Sequence, residues 1–197
     1  DVTAPGLQIL AGNSPFPDAG SVPGELFQAI AGTSMSSPHV AGVYALLKQA
    51  HPEWSAAMAK SALMTTAHQN VLDNNRTNAA DPFDMGSGHI RPGGQWTKGS
   101  ITEPGLVYDA GFLDYLGFMC DAFPAALADP ATTCPALASL GIPTKAINLN
   151  YPSIGISQVP GTKTVTRTVT SVAKENGWRT YTPTIVAPPG YTVTVSP

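Results

Sequence analysis

The sequence predicts an α/β unit followed by an all-β unit. Three observations carry this. A loosely alternating run over 25–31 leads through a glycine into helix formers from position 34 to about 50, so a strand hands over to a helix. A second helical pattern follows at once, from Ser55 to about position 67. In the last third the period drops to two, with Val165, Arg167 and Val169 alternating with Thr164, Thr166, Thr168 and Thr170. β-branched residues in that rhythm suit a pleated, half-buried surface.

The bulk numbers set the frame. A chain of 197 residues has room for one large domain or two small ones. Hydrophobic residues at 43% against 12% charged allow a packed core and argue against disorder. The net charge of −3, without a basic run, argues against a nucleic-acid partner. No apolar run is long enough to cross a bilayer. Position 1 is Asp1 and no leader precedes it, so the chain is expected to begin in mid-protein. The low charge, with 19 Pro and 19 Gly, fits a secreted, loop-rich protein. No His/Cys/Asp cluster has zinc spacing and no Asp-x-Asp-x-Asp loop suggests calcium, so neither metal nor cofactor is expected.

In chain order, Pro5-Gly6 is a turn signal, and Leu7, Ile9 and Leu10 form a short apolar run. Residues 13–24 read as a surface loop, and 25–31 as a strand that delivers Gly32. The first helix is almost wholly apolar up to Lys48, which predicts layers packed on several of its sides. His51-Pro52 stops it, with His51 expected to be exposed. The second helix turns Ala59, Ala62, Leu63 and Met64 inward. Residues 70–81 are polar and read as a loop holding the glycosylation sequon Asn75-Arg76-Thr77. Such three-residue matches are common by chance, so this one counts only in a eukaryotic source. A short amphipathic helix is expected over 109–119, from Phe112, Leu113, Leu116 and Met119. Residues 120–144 read as a Pro- and Ala-rich connector, and 181–185 and 191–195 as further strands. Cys120 and Cys134 pair in an oxidising compartment, closing a loop worth about 3 kcal/mol, or stand as two free buried thiols.

The stretch with the most chemistry is Gly32-Thr33-Ser34-Met35-Ser36-Ser37-Pro38-His39-Val40-Ala41-Gly42. Ser34 is expected to cap the helix, where unpaired N–H groups and the dipole carry partial positive charge. A serine there can attack a carbonyl while its own N–H helps hold the oxyanion. The stretch resembles the nucleophile motif of the subtilisin-like serine proteases, Gly-Thr-Ser-Met-(Ala/Ser)-x-Pro-His-x-(Ala/Ser)-Gly, and meets it at every position. Asp1-Val2-Thr3-Ala4-Pro5-Gly6 and the run from Trp54 to Ala67 are similar to further segments of that family. Residues 82–92, Pro104-Gly105-Leu106-Val107-Tyr108-Asp109 and 148–154 resemble its cucumisin-like, plant-type subgroup.

The resemblance implies a serine endopeptidase acting on polypeptides, secreted to the extracellular space. It implies Ser34 as nucleophile, Thr33 and Met35 on the leaving-group side of the cleft, with the Thr33 hydroxyl lending a long-range contact to the oxyanion, and Gly32 admitting the substrate backbone. It implies a division into 1–110, the C-terminal portion of a parallel-sheet catalytic domain, 111–145, a connector, and 146–197, part of a fibronectin type III-like sandwich. A full sandwich needs about seven strands, more than this stretch supplies. The family's Asp, His and oxyanion Asn precede the serine and would fall before Asp1, so the chain alone is expected to be inactive and to need that upstream part as its partner. His39, five positions after Ser34, points away around the helix and is read as structural. His68 and His89 show no base–nucleophile spacing either. The competing reading is a non-catalytic binding or structural module. An apolar helix short of packing layers predicts self-association, or pairing with the upstream piece.

Overall fold

The computed structural model describes residues 1–16, 23–93, 97–174 and 177–196. The expected loop over 13–24 therefore lies partly outside the described residues. Two short strands, β1 (Ile9–Gly12) and β2 (Phe27–Ile30), form an antiparallel hairpin with Ile9 opposite Ile30. Helix α1 (Thr33–Ala50) follows directly, and α2 (Ala56–Thr65) after a tight corner. Then come the single turn α3 (Pro82–Met85), strand β3 (Leu106–Val107), helices α4 (Phe112–Ala122) and α5 (Pro130–Ser139), and strand β4 (Thr170–Ser171). The described sheets are both two-stranded and antiparallel.

The core lies between α1 and α2. Val43 and Leu47 of α1 meet Trp54, Ala59, Ala62 and Leu63, with Ile90 and Ile101 closing the far side. Small residues let the helices approach, since Ala62 is wholly buried and Ser61 beside it donates no bulk. Ser61 Oγ accepts the Tyr108 amide at 2.9 Å, so a buried hydroxyl is satisfied and β3 is pinned to α2. Ser55 caps α2 by accepting the Met58 amide at 3.0 Å. Residues 1–4 lie against 88–90. Thr3 donates to the Gly88 carbonyl, Ile90 to the Thr3 carbonyl, and His68 and His89 exchange backbone bonds.

The C-terminal third is tied to this core. β4 pairs with β3, Leu106 opposite Ser171 and Val107 opposite Thr170, and Val172 packs on the core cluster. Side chains also stand in for a ladder here. Asn148 and Asn150 present their Oδ1 atoms to the amides of Thr166 and Thr168, each at 2.9 Å. Arg167 lies between those two amides in sequence and donates to the carbonyls of Ile147, Tyr151 and Ser153.

Several expectations need correction. Gly32, not Ser34, is the N-cap of α1, and no side chain caps it. α1 is short of packing layers, as expected: Val43 and Leu47 are buried, whereas Leu46 is 56% exposed. His51 is buried rather than exposed, because its ring stacks on Trp54 at 3.9 Å and its Nε2 meets the Thr102 carbonyl at 2.9 Å. The connector holds a helix, α5, since Asp129 caps it through the Thr132 amide and Pro130 sits in the first turn, where proline is tolerated. Residues 181–185 and 191–195 form no ladder with another strand among the described residues, and a strand without a partner's N–H and C=O groups is not assigned.

Candidate active site

The site is built at the corner between β2 and α1. Gly32 has φ 156° and ψ 166°, a conformation that side-chain-bearing residues seldom take. That turn lets the chain leave β2 and enter a helix within two residues. The Gly32 carbonyl then accepts the Met35 amide at 3.0 Å, closing the first turn. Thr33, Ser34 and Met35 are the first three helical residues. The amides of Thr33 and Ser34 come before the point where intrahelical partners begin, so the corner presents N–H groups with the positive end of the dipole.

A strap from the N-terminal segment fixes this corner. Gly32 donates its amide to the Gly6 carbonyl at 2.8 Å, and Ser36 Oγ donates to the Ala4 carbonyl at 2.9 Å. Gly6 lies so close that a Cβ built on it would stand 2.2 Å from Ser36 Oγ and 2.9 Å from the Gly32 carbonyl oxygen. Only a glycine fits there. Pro38 follows in the second turn and has no N–H to give the Ser34 carbonyl. His39 Nδ1 meets the Met35 carbonyl at 2.8 Å, which keeps the ring on its own helix.

Ser34 is exposed, and so are Gly32 and Thr33, while Met35 is half-buried. These four residues, all singled out from the sequence, therefore occupy one corner. None of the four histidines touches Ser34 among the described residues. His39 is held as above, His51 is stacked on Trp54, His89 meets the Thr3 hydroxyl at 3.2 Å, and His68 pairs with His89 through its backbone. No cluster of three or more His, Cys, Asp or Glu that could hold a metal occurs among the described residues. Cys120 and Cys134 are joined in a disulfide between α4 and α5, well away from the corner in sequence. Asn75 sits on an exposed hairpin tip.

Three of the perturbed titratable groups gather elsewhere. Burial pushes the Tyr44 and Tyr115 phenols up, with the Tyr151 phenol adding to both, and burial lowers the Arg167 guanidinium. Lys60 bonds the Tyr151 hydroxyl and sits 4.4 Å from the centre of its ring. This cluster joins α1, α2 and α4 to the start of the C-terminal third. It is a junction that no sequence motif announced.

Against known proteins, residues 1–88 match the model of the subtilase family. That stretch is similar to the subtilases. Residues 148–197 match a fibronectin type-III domain. Across its whole length the chain is 41% identical to a subtilisin-like protease, SBT2.5, and 39% identical to a CO(2)-response secreted protease, both of Arabidopsis thaliana, covering 25% and 27% of them. It is 45% identical over 88% of its length to another from the same plant, SBT5.5, covering 21% of that protein. The chain thus spans about a quarter of the length of the curated relatives it matches. The strap and the serine corner both lie within residues 1–88, the stretch that matches the subtilase model. The strap residues Ala4, Gly6 and Ser36 were not singled out as a unit from the sequence, although Pro5-Gly6 marked the turn they use. No helix among the described residues is long and apolar enough to cross a membrane.

Proposed function

We propose that this chain is the nucleophile-bearing portion of a secreted subtilisin-like serine endopeptidase. The single observation behind it is an exposed serine at the start of α1, inside a complete family motif, with the strap from Ala4 and Gly6 holding the corner rigid. The division into a catalytic portion over 1–110, a connector over 111–145 and a fibronectin type III-like portion over 146–197 belongs to the same reading, as does a parallel sheet under α1 completed by sequence outside this chain.

In the reaction, Ser34 Oγ attacks the carbonyl carbon of a peptide bond in a polypeptide substrate. The oxygen of that carbonyl becomes an oxyanion beside the N–H groups at the start of α1. The amine leaves, an acyl-enzyme remains on Ser34, and water releases it. Gly32 gives the substrate backbone room, and Thr33 and Met35 flank the leaving group. A serine hydroxyl is a weak nucleophile until a base takes its proton, and the base comes from an upstream part of the protease, together with the Asp that orients it and the oxyanion Asn. Without them the rate falls by about 10⁴ or more, so the chain alone is inactive.

A fluorophosphonate probe tests this. It leaves the chain alone unlabelled and labels Ser34 in a protein extended upstream, and Ser34→Ala abolishes that label. Rapid labelling of the chain alone, or none in the extended protein, overturns the proposal.

A further inference from the structure

Residues 71–80 form a small hairpin that the serine chemistry does not use. Leu72 bridges Ala79, Asp73 donates to the Asn78 carbonyl at 2.9 Å, and Ala80 donates to the Val71 carbonyl at 2.8 Å. Its base is anchored, since Ala80 is buried. Its tip, residues 74–79, is exposed throughout. At that tip stands the chain's one Asn-X-Ser/Thr sequon with a permitted middle residue, Asn75-Arg76-Thr77.

The tip holds the Asn75 side chain in one orientation. Asn75 Oδ1 accepts the Thr77 amide at 2.8 Å, the Asn78 amide at 3.2 Å and the Thr77 hydroxyl. Arg76 takes a positive φ of 62°, which folds Thr77 back over Asn75. The amide oxygen is thus saturated by three donors on the protein side. The amide nitrogen, Nδ2, of this exposed residue has no protein acceptor among the described residues. A bulky group on Nδ2 meets open water, and no buried surface has to be opened to admit it.

We propose that Asn75 is an N-glycan acceptor. The donor is a lipid-linked pyrophosphate oligosaccharide. Nδ2 loses one proton and bonds to the anomeric carbon of the first sugar. The bond from that carbon to the phosphate oxygen breaks, and the lipid pyrophosphate leaves with the electron pair. The disulfide between Cys120 and Cys134 belongs to the same oxidising lumen in which this transfer runs. The inference rests on the secretory route proposed above, but on no step of the serine chemistry.

The test is to express the chain in plant cells behind a secretory leader, which imposes the route and separates the two proposals. Because transfer precedes export, the retained fraction is mapped as well as the medium. A digest that spares Arg76 is treated with peptide-N-glycosidase A in heavy-oxygen water. The expected result is a gel shift lost on glycan release and a labelled aspartate at position 75. Asn75→Gln and Thr77→Ala abolish the shift, and Thr77→Ser retains it. Unmodified Asn75 in both fractions, or a shift that persists in Asn75→Gln, overturns the proposal. Neither result bears on labelling of Ser34.

Discussion

The amide of Gly32 is bonded to the carbonyl of Gly6 at 2.8 Å, and this contact fixes where Ser34 stands. A Cβ at position 6 would meet Ser36 Oγ at 2.2 Å and the Gly32 carbonyl at 2.9 Å. The hydroxyl can rotate away, but the carbonyl belongs to the turn and cannot. Gly6→Ala is therefore expected to cost about 1–3 kcal/mol, as overpacking does, and to displace the serine corner. Adding Ser36→Ala removes the first clash and leaves the second, so it restores only part of the loss. Urea midpoints of the single and double variants check this. Full restoration by the double variant would show that the Gly32 carbonyl sets no limit.

Arg167 holds the C-terminal third in place. Its guanidinium donates to four backbone carbonyls, of Ile147, Tyr151, Ser153 and Thr166, at 2.8–3.1 Å. A lysine at this position is a point charge and cannot reach that fork of acceptors. Arg167→Lys should destabilise the chain by about 2–3 kcal/mol, since it leaves charge-assisted bonds to partly buried carbonyls unmade. Arg167→Gln should cost at least as much. Denaturant midpoints measured for both variants decide it, and a cost within error of zero for Arg167→Lys would mean the fork is not what holds the segment.

The helices were legible because their signals are local. The run of small and apolar residues after Gly32 and the cap at Ser55 set α1 and α2 to within about two residues of the reading, which is the ordinary scatter at helix ends. The serine corner was legible because motif and turn coincide there. What escaped was long-range. Burial of His51 depends on the Thr102 carbonyl, about fifty positions away, and no pattern around His51-Pro52 encodes that partner. The strap likewise joins distant positions, Gly32 to Gly6 and Ser36 to Ala4, the latter 32 apart. α5 was hidden by its prolines, since Pro130 reads as a breaker until Asp129 is seen to cap the turn it begins. In the last third the alternation of Val and Thr was plain, but alternation describes faces, and pairing needs a neighbour.

A third expectation concerns alkaline pH. Burial, and secondarily the Tyr151 phenol, raises the pKa of Tyr44 and Tyr115 above the usual 10.0 of a tyrosine. Above that value the unfolded chain gives up these protons while the folded chain retains them. Stability is therefore whole below pH 10 and falls as pH climbs from there towards the raised values. Denaturant midpoints should show this alkaline limb, and Tyr44→Phe and Tyr115→Phe should each flatten it. A limb of unchanged slope in both variants would place its origin elsewhere.

The last prediction concerns the apolar side chains left exposed on the β1–β2 hairpin and on α1. Leu10, Phe27 and Ile30 of the hairpin and Leu46 of α1 are all exposed, with Phe27 at 66%. Each exposed side chain of this size forgoes about 1.5–3 kcal/mol of burial. Four in the same α/β portion, together with a helix apolar on most faces, make association favourable. The isolated chain should therefore self-associate at micromolar concentration, and light scattering should report a mass that grows with concentration. Phe27→Lys and Leu46→Lys should shift it towards monomer without lowering the denaturant midpoint, because neither side chain is in the core. If the wild-type chain scatters as a monomer at every concentration, these exposed side chains do not drive association. If the lysine variants leave the mass unchanged, association runs through another surface, the exposed Trp178 and Val186 being next in line.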